Sequence, residues 1–334
     1  MTRDSFSTCR QSTNRLFKAI LFTSFALLMA GNAAANPEGG TVASGSATIV
    51  KESPGKLTVK QQSNRTVINW RNFSIGEGEQ THFQQPPGGA ALNRVTSSQV
   101  SRILGKLTAT GKVFLVNPNG VVFGKNARVD VSALVSSIHD VRNRDFMAGR
   151  VRFTIPGHAD AKITNQGTIS VKEGGLVALV APSIENSGII YARLGRVALA
   201  AGDAVTIDPY GDDLITFEVP EGVAAQLTDP DHNPAAALID LSGNILANGG
   251  GVLITADKAR SVVDNAVNMT GFVEARSLST RGGKVILRGG SGNVTVDGTI
   301  DTSGLGAARG GEVRVTTDGS LTMTSQGRIL AEGG

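Results

Sequence analysis

The sequence predicts an all-β protein, a single-stranded right-handed parallel β-helix (a solenoid) with extra-helical hairpins. Three observations predict it. From residue 163 onward, apolar or small residues alternate with exposed ones at period two, as in a half-buried strand. Each alternating unit centres on a glycine, and Gly243, Gly271, Gly298 and Gly327 stand 28, 27 and 29 residues apart. Each unit also carries a second strand that glycine opens, as in GGGVLITA from 249, GGKVILR from 282 and GGEVRVT from 310. A near-constant spacing in this range denotes stacked repeats. The period-two alternation excludes helical repeats, and propeller blades of about 40–45 residues are too long.

The chain opens on a segment that stands outside this fold. Arg3, Arg10, Arg15 and Lys18 make a basic start, AILFTSFALLMA over 19–30 is a twelve-residue apolar run, and Ala33-Ala34-Ala35 supplies small residues for cleavage. Residues 1–35 therefore read as a Sec signal peptide, with Asn36 as the first mature residue. Twelve apolar residues are too few to span a bilayer, which needs about 20.

Removing the leader changes the charge. It carries four Lys/Arg and one Asp, which leaves 28 basic against 27 acidic residues from totals of 32 and 28, a net +1. The mature chain has no charge excess that would suit nucleic acid, and no such partner is expected. It also has no cysteine, since Cys9 lies in the leader. A large core makes disulfides unnecessary. A chain that must thread a second membrane unfolded also has reason to avoid them.

Between 36 and 155 the pattern is less regular. RTVINWRNFSIGEGEQTHF alternates as a strand and holds Trp70, the only tryptophan. SRILGKLTATG fits both helical and strand spacing, and Gly105 inside a short helix costs about 1 kcal/mol, so strand is preferred. VFLVNPNGVVFG places Asn117-Pro118-Asn119-Gly120 between two apolar runs. Each residue suits its place in a type I turn.

From 163 the inward positions are Ile163, Asn165, Gly167 and Ile169, then Ile184, Asn186, Gly188 and Ile190. Three later units, through Ile239, Val267 and Val294, repeat the pattern. The register predicts that Ile169, Ile190, Ile245, Val273, Ile300 and Ile329 form one internal ladder, and that Asn165 and Asn186 form an amide ladder at a corner. Residues 208–236 break the pattern with four prolines and clustered Asp, and read as an excursion with LITFEV as an outer hairpin. The sequence stops mid-repeat at ILAEGG, which suggests a truncated solenoid.

TVINWRNFSIGEGEQTHFQQ, ALNRVTSSQVSRILGKLTATGKVFLVNPNGVVFG and the leader-plus-β-helix layout together resemble the secretion domain of two-partner-secretion exoproteins. This is the filamentous-haemagglutinin family, and the high-molecular-weight adhesin type is nearest. The resemblance covers residues 36–155 specifically, with 156–334 as continuing repeats. It implies recognition by an outer-membrane two-partner-secretion transporter, an Omp85-type barrel with periplasmic POTRA domains, after export by the Sec machinery. The product is then secreted or surface-exposed, and host cells or other bacteria are its targets. The family's Asn-Pro-Asn-Gly-Ile motif maps to Asn117, Pro118, Asn119, Gly120 and Val121, with Val in place of Ile. Trp70, Phe73, Asn93 and Arg94 match in order and complete the expected recognition set. The second family motif, Asn-Pro-Asn-Leu, is absent.

Other motifs carry less. His82, His139, His158 and His232 show no metal-ligand spacing, and no metal or cofactor is expected. GGSGNVTVDG has Val294 where a calcium-binding nonapeptide needs Asp. GLGAARG spaces its glycines wrongly for a dinucleotide loop, and Gly105-Lys106 lacks the rest of a P-loop. Asp203, Asp208, Asp212 and Asp213 read as turn residues rather than as the acid cluster of a β-helix lyase. Asn64, Asn72, Asn268 and Asn293 begin glycan sequons. The sequence thus predicts a non-enzymatic, adhesin-like exoprotein. A stalk for contact-dependent toxin delivery and a β-helix carbohydrate-active enzyme are the rival readings.

Overall fold

Three strands make one coil, and glycine or polar corners join them. The computed structural model describes residues 36–202, 205–207, 237–256, 265–279 and 281–334. The leader, His232 and the LITFEV segment lie outside the described residues, as do Asp203, Asp208, Asp212 and Asp213. A representative coil runs through Lys112–Val116, Val121–Phe123 and Arg128–Val131. Stacking such coils builds, among the described residues, a ten-stranded, an eight-stranded and an eleven-stranded sheet. Pairing between coils is parallel from the strand Lys56–Gln61 onward. Ser101–Ile103 and Lys106–Ala109 are both strands, so the ambiguous segment is resolved as expected.

The predicted ladder is in register. Ile169 faces Ile190, then Ile245, Val273, Ile300 and Ile329 in turn. It extends toward the N-terminus through Val129, Leu107, Thr81 and Leu57. All six predicted residues except Ile329 are fully buried. Ile329, on the last coil described, is 41% exposed because no further coil among the described residues packs on it. The Asn165 Nδ2 donates to Asn186 Oδ1 at 2.7 Å inside the core, which is the predicted amide pair. That ladder has two rungs only: Phe123 precedes it and Leu241 follows it in register.

A column of glycines marks the corner after the second strand. A Cβ on Gly188, Gly243, Gly271 or Gly298 would collide with the carbonyl oxygen or backbone of the glycine one coil below. The corner glycines are therefore required by close backbone approach, which is the physical origin of the repeat seen in the sequence.

Two features were not expected. The N-terminal strands pair antiparallel: Thr41–Ser44 against Arg65–Trp70, and Ala47–Ser53 against Lys56–Gln61. Here the chain doubles back over the first coil. Asn36 is buried, its Oδ1 accepts from Thr81 Oγ1 at 2.9 Å, and Glu38 bridges to Asn72. The polar Thr81 in an apolar ladder is thus matched by the cap.

The second feature is an excursion over residues 139–160, ahead of the one predicted at 208–236. It holds the short helix Asn143–Met147 and the strand Val151–Phe153, which pairs antiparallel with Val205–Ile207. Val141, Phe146, Val151 and Phe153 cover outward residues of the ten-stranded sheet, including Leu92, Phe114, Val135 and Val180. The Phe114 and Phe146 rings meet edge to face at 5.1 Å. This sheet is therefore apolar on both faces here, as parallel sheets covered on both sides are.

The outer face of the eight-stranded sheet is polar. Thr164, Glu185, Asp240 and Asn268 stand in one column. Burial, and then the Glu185 carboxylate, raise the Asp240 pKa above the ordinary carboxylate value, and a hydrogen bond from Asn268 partly offsets this. A raised folded-state pKa gives stability that is fully present below the unfolded pKa and is lost as pH rises through the folded one. At neutral pH Asp240 is thus a standing cost. Asp240→Asn is expected to stabilise the fold by a few tenths to about 1 kcal/mol at pH 7. The gain should shrink on acidification to about pH 3, as thermal melts at the two pH values would read.

Candidate functional site

The predicted recognition residues gather at one corner of three successive coils. Trp70 pairs with Val95 in register, and Arg94 with Val116. The corners that follow, residues 71–75, 96–100 and 117–120, therefore stack one above another. Strand alternation then sorts the side chains. Trp70 and Asn93 point into the solenoid, and Arg94 points out.

Trp70 and Asn93 form a single buried unit. The indole Nε1 donates to Asn93 Oδ1 at 2.9 Å, and Asn93 Nδ2 donates to the Phe114 carbonyl at 3.2 Å. Ile68 and Leu115 flank Asn93 in its column. An amide is tolerated there because the tryptophan needs an acceptor. Phe73 meets Trp70 edge to face at 5.6 Å and stacks on Phe83 at 6.4 Å.

Arg94 ties the excursion to the solenoid. Its Nε donates to Asp140 Oδ2 at 2.6 Å, its Nη2 to the Val141 carbonyl at 2.9 Å, and its Nη1 to Asn69 Oδ1 at 3.1 Å. One guanidinium fork thus joins two coils and the excursion's first residues. Neither Asp140 nor Val141 was legible as its partner, since they lie 46 and 47 residues away.

The turn at 117–120 is closed twice. The Gly120 N–H donates to the Asn117 carbonyl at 3.1 Å, and the Asn119 N–H donates to Asn117 Oδ1 at 3.0 Å. The Asn117 side chain is fully buried. Its Nδ2 donates to the Gln99 carbonyl and to Ser101 Oγ, both at 2.9 Å. Asn119 Nδ2 donates to the Ser97 carbonyl and to Asn117 Oδ1, also at 2.9 Å. Ser97 Oγ in turn donates to Asn72 Oδ1 at 2.7 Å. The amides therefore lace three corners together.

Two further contacts hold the turn. The Pro118 carbonyl accepts from the His158 N–H at 3.0 Å, where the excursion returns. Gly120 has φ +108°, and a Cβ there would stand 2.8 Å from the Lys162 carbonyl oxygen, so both backbone and space demand glycine. Val121 is buried as the first residue of the next strand. Ser97, Gln99 and Ser101 belong to the stretch that carries the family resemblance, but nothing in the sequence singled them out as partners of the turn.

The geometry supplies no catalytic constellation among the described residues. His82 bonds Thr108, His139 is buried against the Gly202 carbonyl, and His158 is exposed, each in a separate place.

Comparison with known proteins matches this architecture. The family model described as TPS secretion domain matches residues 33–302. The heme/hemopexin-binding protein of Haemophilus influenzae is 29% identical over 266 residues, covering 73% of this chain and 27% of the relative. Its counterpart from a second strain is 30% identical over 260 residues, with 75% and 27% covered. The chain thus spans about a quarter of the length of the curated relatives it matches. The solved HMW1 secretion domain from Haemophilus influenzae superposes with a TM-score of 0.73 at 28% identity, covering 89% of this chain and 74% of that one. The filamentous hemagglutinin secretion domain superposes with a TM-score of 0.62 at 15% identity, covering 89% and 98%, which is a likeness of fold.

Proposed function

We infer the function of this chain from one premise: it belongs to the TPS secretion-domain family, the part of two-partner-secretion exoproteins that takes them across the outer membrane of Gram-negative bacteria through a cognate transporter. We propose that the segment Asn117–Val121 is read by that transporter while the chain is unfolded, and that Trp70, Phe73, Asn93 and Arg94 chiefly build the coils that the exported chain forms.

One observation carries this division. In the folded chain the Asn117 amide is fully buried and bonded on both its oxygen and its nitrogen. Nothing of it is left for a partner to read. In the unfolded chain the same amides both donate and accept. Binding there carries an ordering cost, so it is modest and reversible, which suits a transported substrate. Folding then withdraws the segment from the transporter, because coil closure consumes the groups that bound it.

The resident coils address and export the chain, and an adhesive role belongs to the exoprotein of which they are a part. The relatives, of which this chain spans 27%, are heme/hemopexin-binding proteins, so heme/hemopexin binding by the remainder of the exoprotein is the second cargo reading. The family match gives no support to an enzymatic reading.

A secretion assay with the cognate barrel tests the proposal. Asn119→Ala, whose side chain is only half-buried, is expected to leave leader cleavage intact and retain the chain in the periplasm. The same variant refolded in vitro should keep the wild-type strand content. Normal release of Asn119→Ala and Asn117→Ala into the medium would reduce the segment to a structural turn.

A further inference from the structure

The excursion carries a cluster of arginines. Arg142, Arg144, Arg150 and Arg152 fall within eleven residues, and Asp145 is the only acid among them. Arg150 Nη2 bonds Asp145 Oδ1 at 2.9 Å, and Arg144 Nε approaches the same oxygen at 3.8 Å. Arg142 also acts on this carboxylate, whose pKa the Arg150 hydrogen bond and then the neighbouring guanidiniums lower. Two arginines thus pair with one carboxylate, and Arg142 adds a weaker electrostatic influence. Arg142 and Arg152 are exposed and have no ion-pair partner among the described residues. The side chains of Arg144 and Arg150 are 76% and 53% exposed. The cluster holds a surplus of three positive charges on a mature chain whose net charge is +1.

The cluster is built on a firm base. Phe146, Val151 and Phe153 lie beneath it, fully or almost fully buried against the solenoid. Strand alternation in Val151–Phe153 sends Arg152 outward between two buried apolar residues. Ile155, at the end of the same stretch, is 40% exposed. All four cations are arginine, whose planar fork suits phosphate oxygens bidentately.

We propose that this face of the excursion docks on the anionic phosphate headgroups of a bilayer leaflet. A membrane is the occupant favoured by exposed guanidiniums on an excursion that also exposes Ile155, and by a chain whose family passes through an outer membrane. A basic residue near an anionic surface contributes enough to shift partition about fivefold. The binding is electrostatic, so it weakens as salt shortens the screening length from about 10 Å at 0.1 M to about 3 Å at 1 M.

Co-sedimentation of the refolded chain with vesicles tests this. Binding is expected to phosphatidylglycerol–phosphatidylcholine vesicles at low salt, and not to phosphatidylcholine alone. The double variant Arg142→Gln/Arg152→Gln breaks no ion pair among the described residues. It should melt as wild type does and bind about thirtyfold more weakly. Absence of wild-type binding, equal binding by the double variant, or full competition by millimolar inorganic phosphate would each overturn the proposal. Residues 208–236 contain seven acids and no Lys or Arg. If the chain ignored anionic vesicles until that stretch was replaced by a neutral linker, the arginines would serve the chain's own acids, and membrane docking would be refuted.

Discussion

Gly243→Val is expected to destroy the coil in which it sits, at a cost of about 3 kcal/mol or more. A Cβ at 243 would overlap the Gly188 carbonyl oxygen, and the neighbouring backbone of Ser187 and Gly188 leaves no direction of escape. Backbone cannot rotate away as a side chain tip can. Either the corner opens and its interstrand hydrogen bonds break, or the two coils separate. The Gly243 N–H to Asn186 carbonyl bond and the Asn244 N–H to Gly188 carbonyl bond are the first at risk. A solenoid is stabilised by nearest-neighbour contacts, so the damage should stay local. Hydrogen exchange should show lost protection over 237–255, with protection retained over 57–135. Thermal unfolding should split into two phases. A single transition at the wild-type temperature would show that the glycine column is not a packing requirement.

Asn117→Ala carries the second large effect. The substitution removes two donated and two accepted hydrogen bonds, and leaves Ser101 Oγ and the Gln99 carbonyl short of a donor. Each net bond is modest, but buried partners left unmatched add their desolvation cost. The expected loss is about 2–4 kcal/mol in denaturant unfolding. Asn119→Ala loses only its two Nδ2 bonds, in a half-exposed position, and should cost about 1 kcal/mol. The contrast separates the two roles of the segment. A secretion defect that tracks these stabilities points to folding, whereas equal secretion defects at unequal stability point to recognition of the unfolded chain. Asn117→Asp keeps the acceptor of the Asn119 N–H but sets a buried carboxylate oxygen against the Gln99 carbonyl, so it should destabilise at least as much as Asn117→Ala.

The coils were legible because their physics is local. Alternation at period two places Ile169, Ile190 and Ile245 inward whatever else the chain does, and the glycine spacing sets which of them meet. The Asn165–Asn186 pair followed from the same register. The corner turn was legible too, since Asn-Pro-Asn-Gly has its own backbone preferences. Its partners were not. SSQVS carries no mark that its carbonyls will receive two asparagine amides, and nothing near Arg94 announces Asp140.

The excursion shows the limit most clearly. Residues 139–160 contain apolar residues, but VRNRDFMAGRVRF has no period that assigns a face. Its place is set by the outer side of the sheet beneath it, where Leu92, Phe114 and Val135 would otherwise meet water. By itself the sequence determined the repeat, the inward columns and the corner turn, because each depends on the order of neighbouring residues. Only the tertiary structure decided that the Asn117 amide is consumed on folding, that Arg94 clamps the excursion, and that Arg144 and Arg150 pair with the Asp145 carboxylate. These depend on contacts between coils, or on where an aperiodic segment comes to rest, and burial energy rather than local preference selects them.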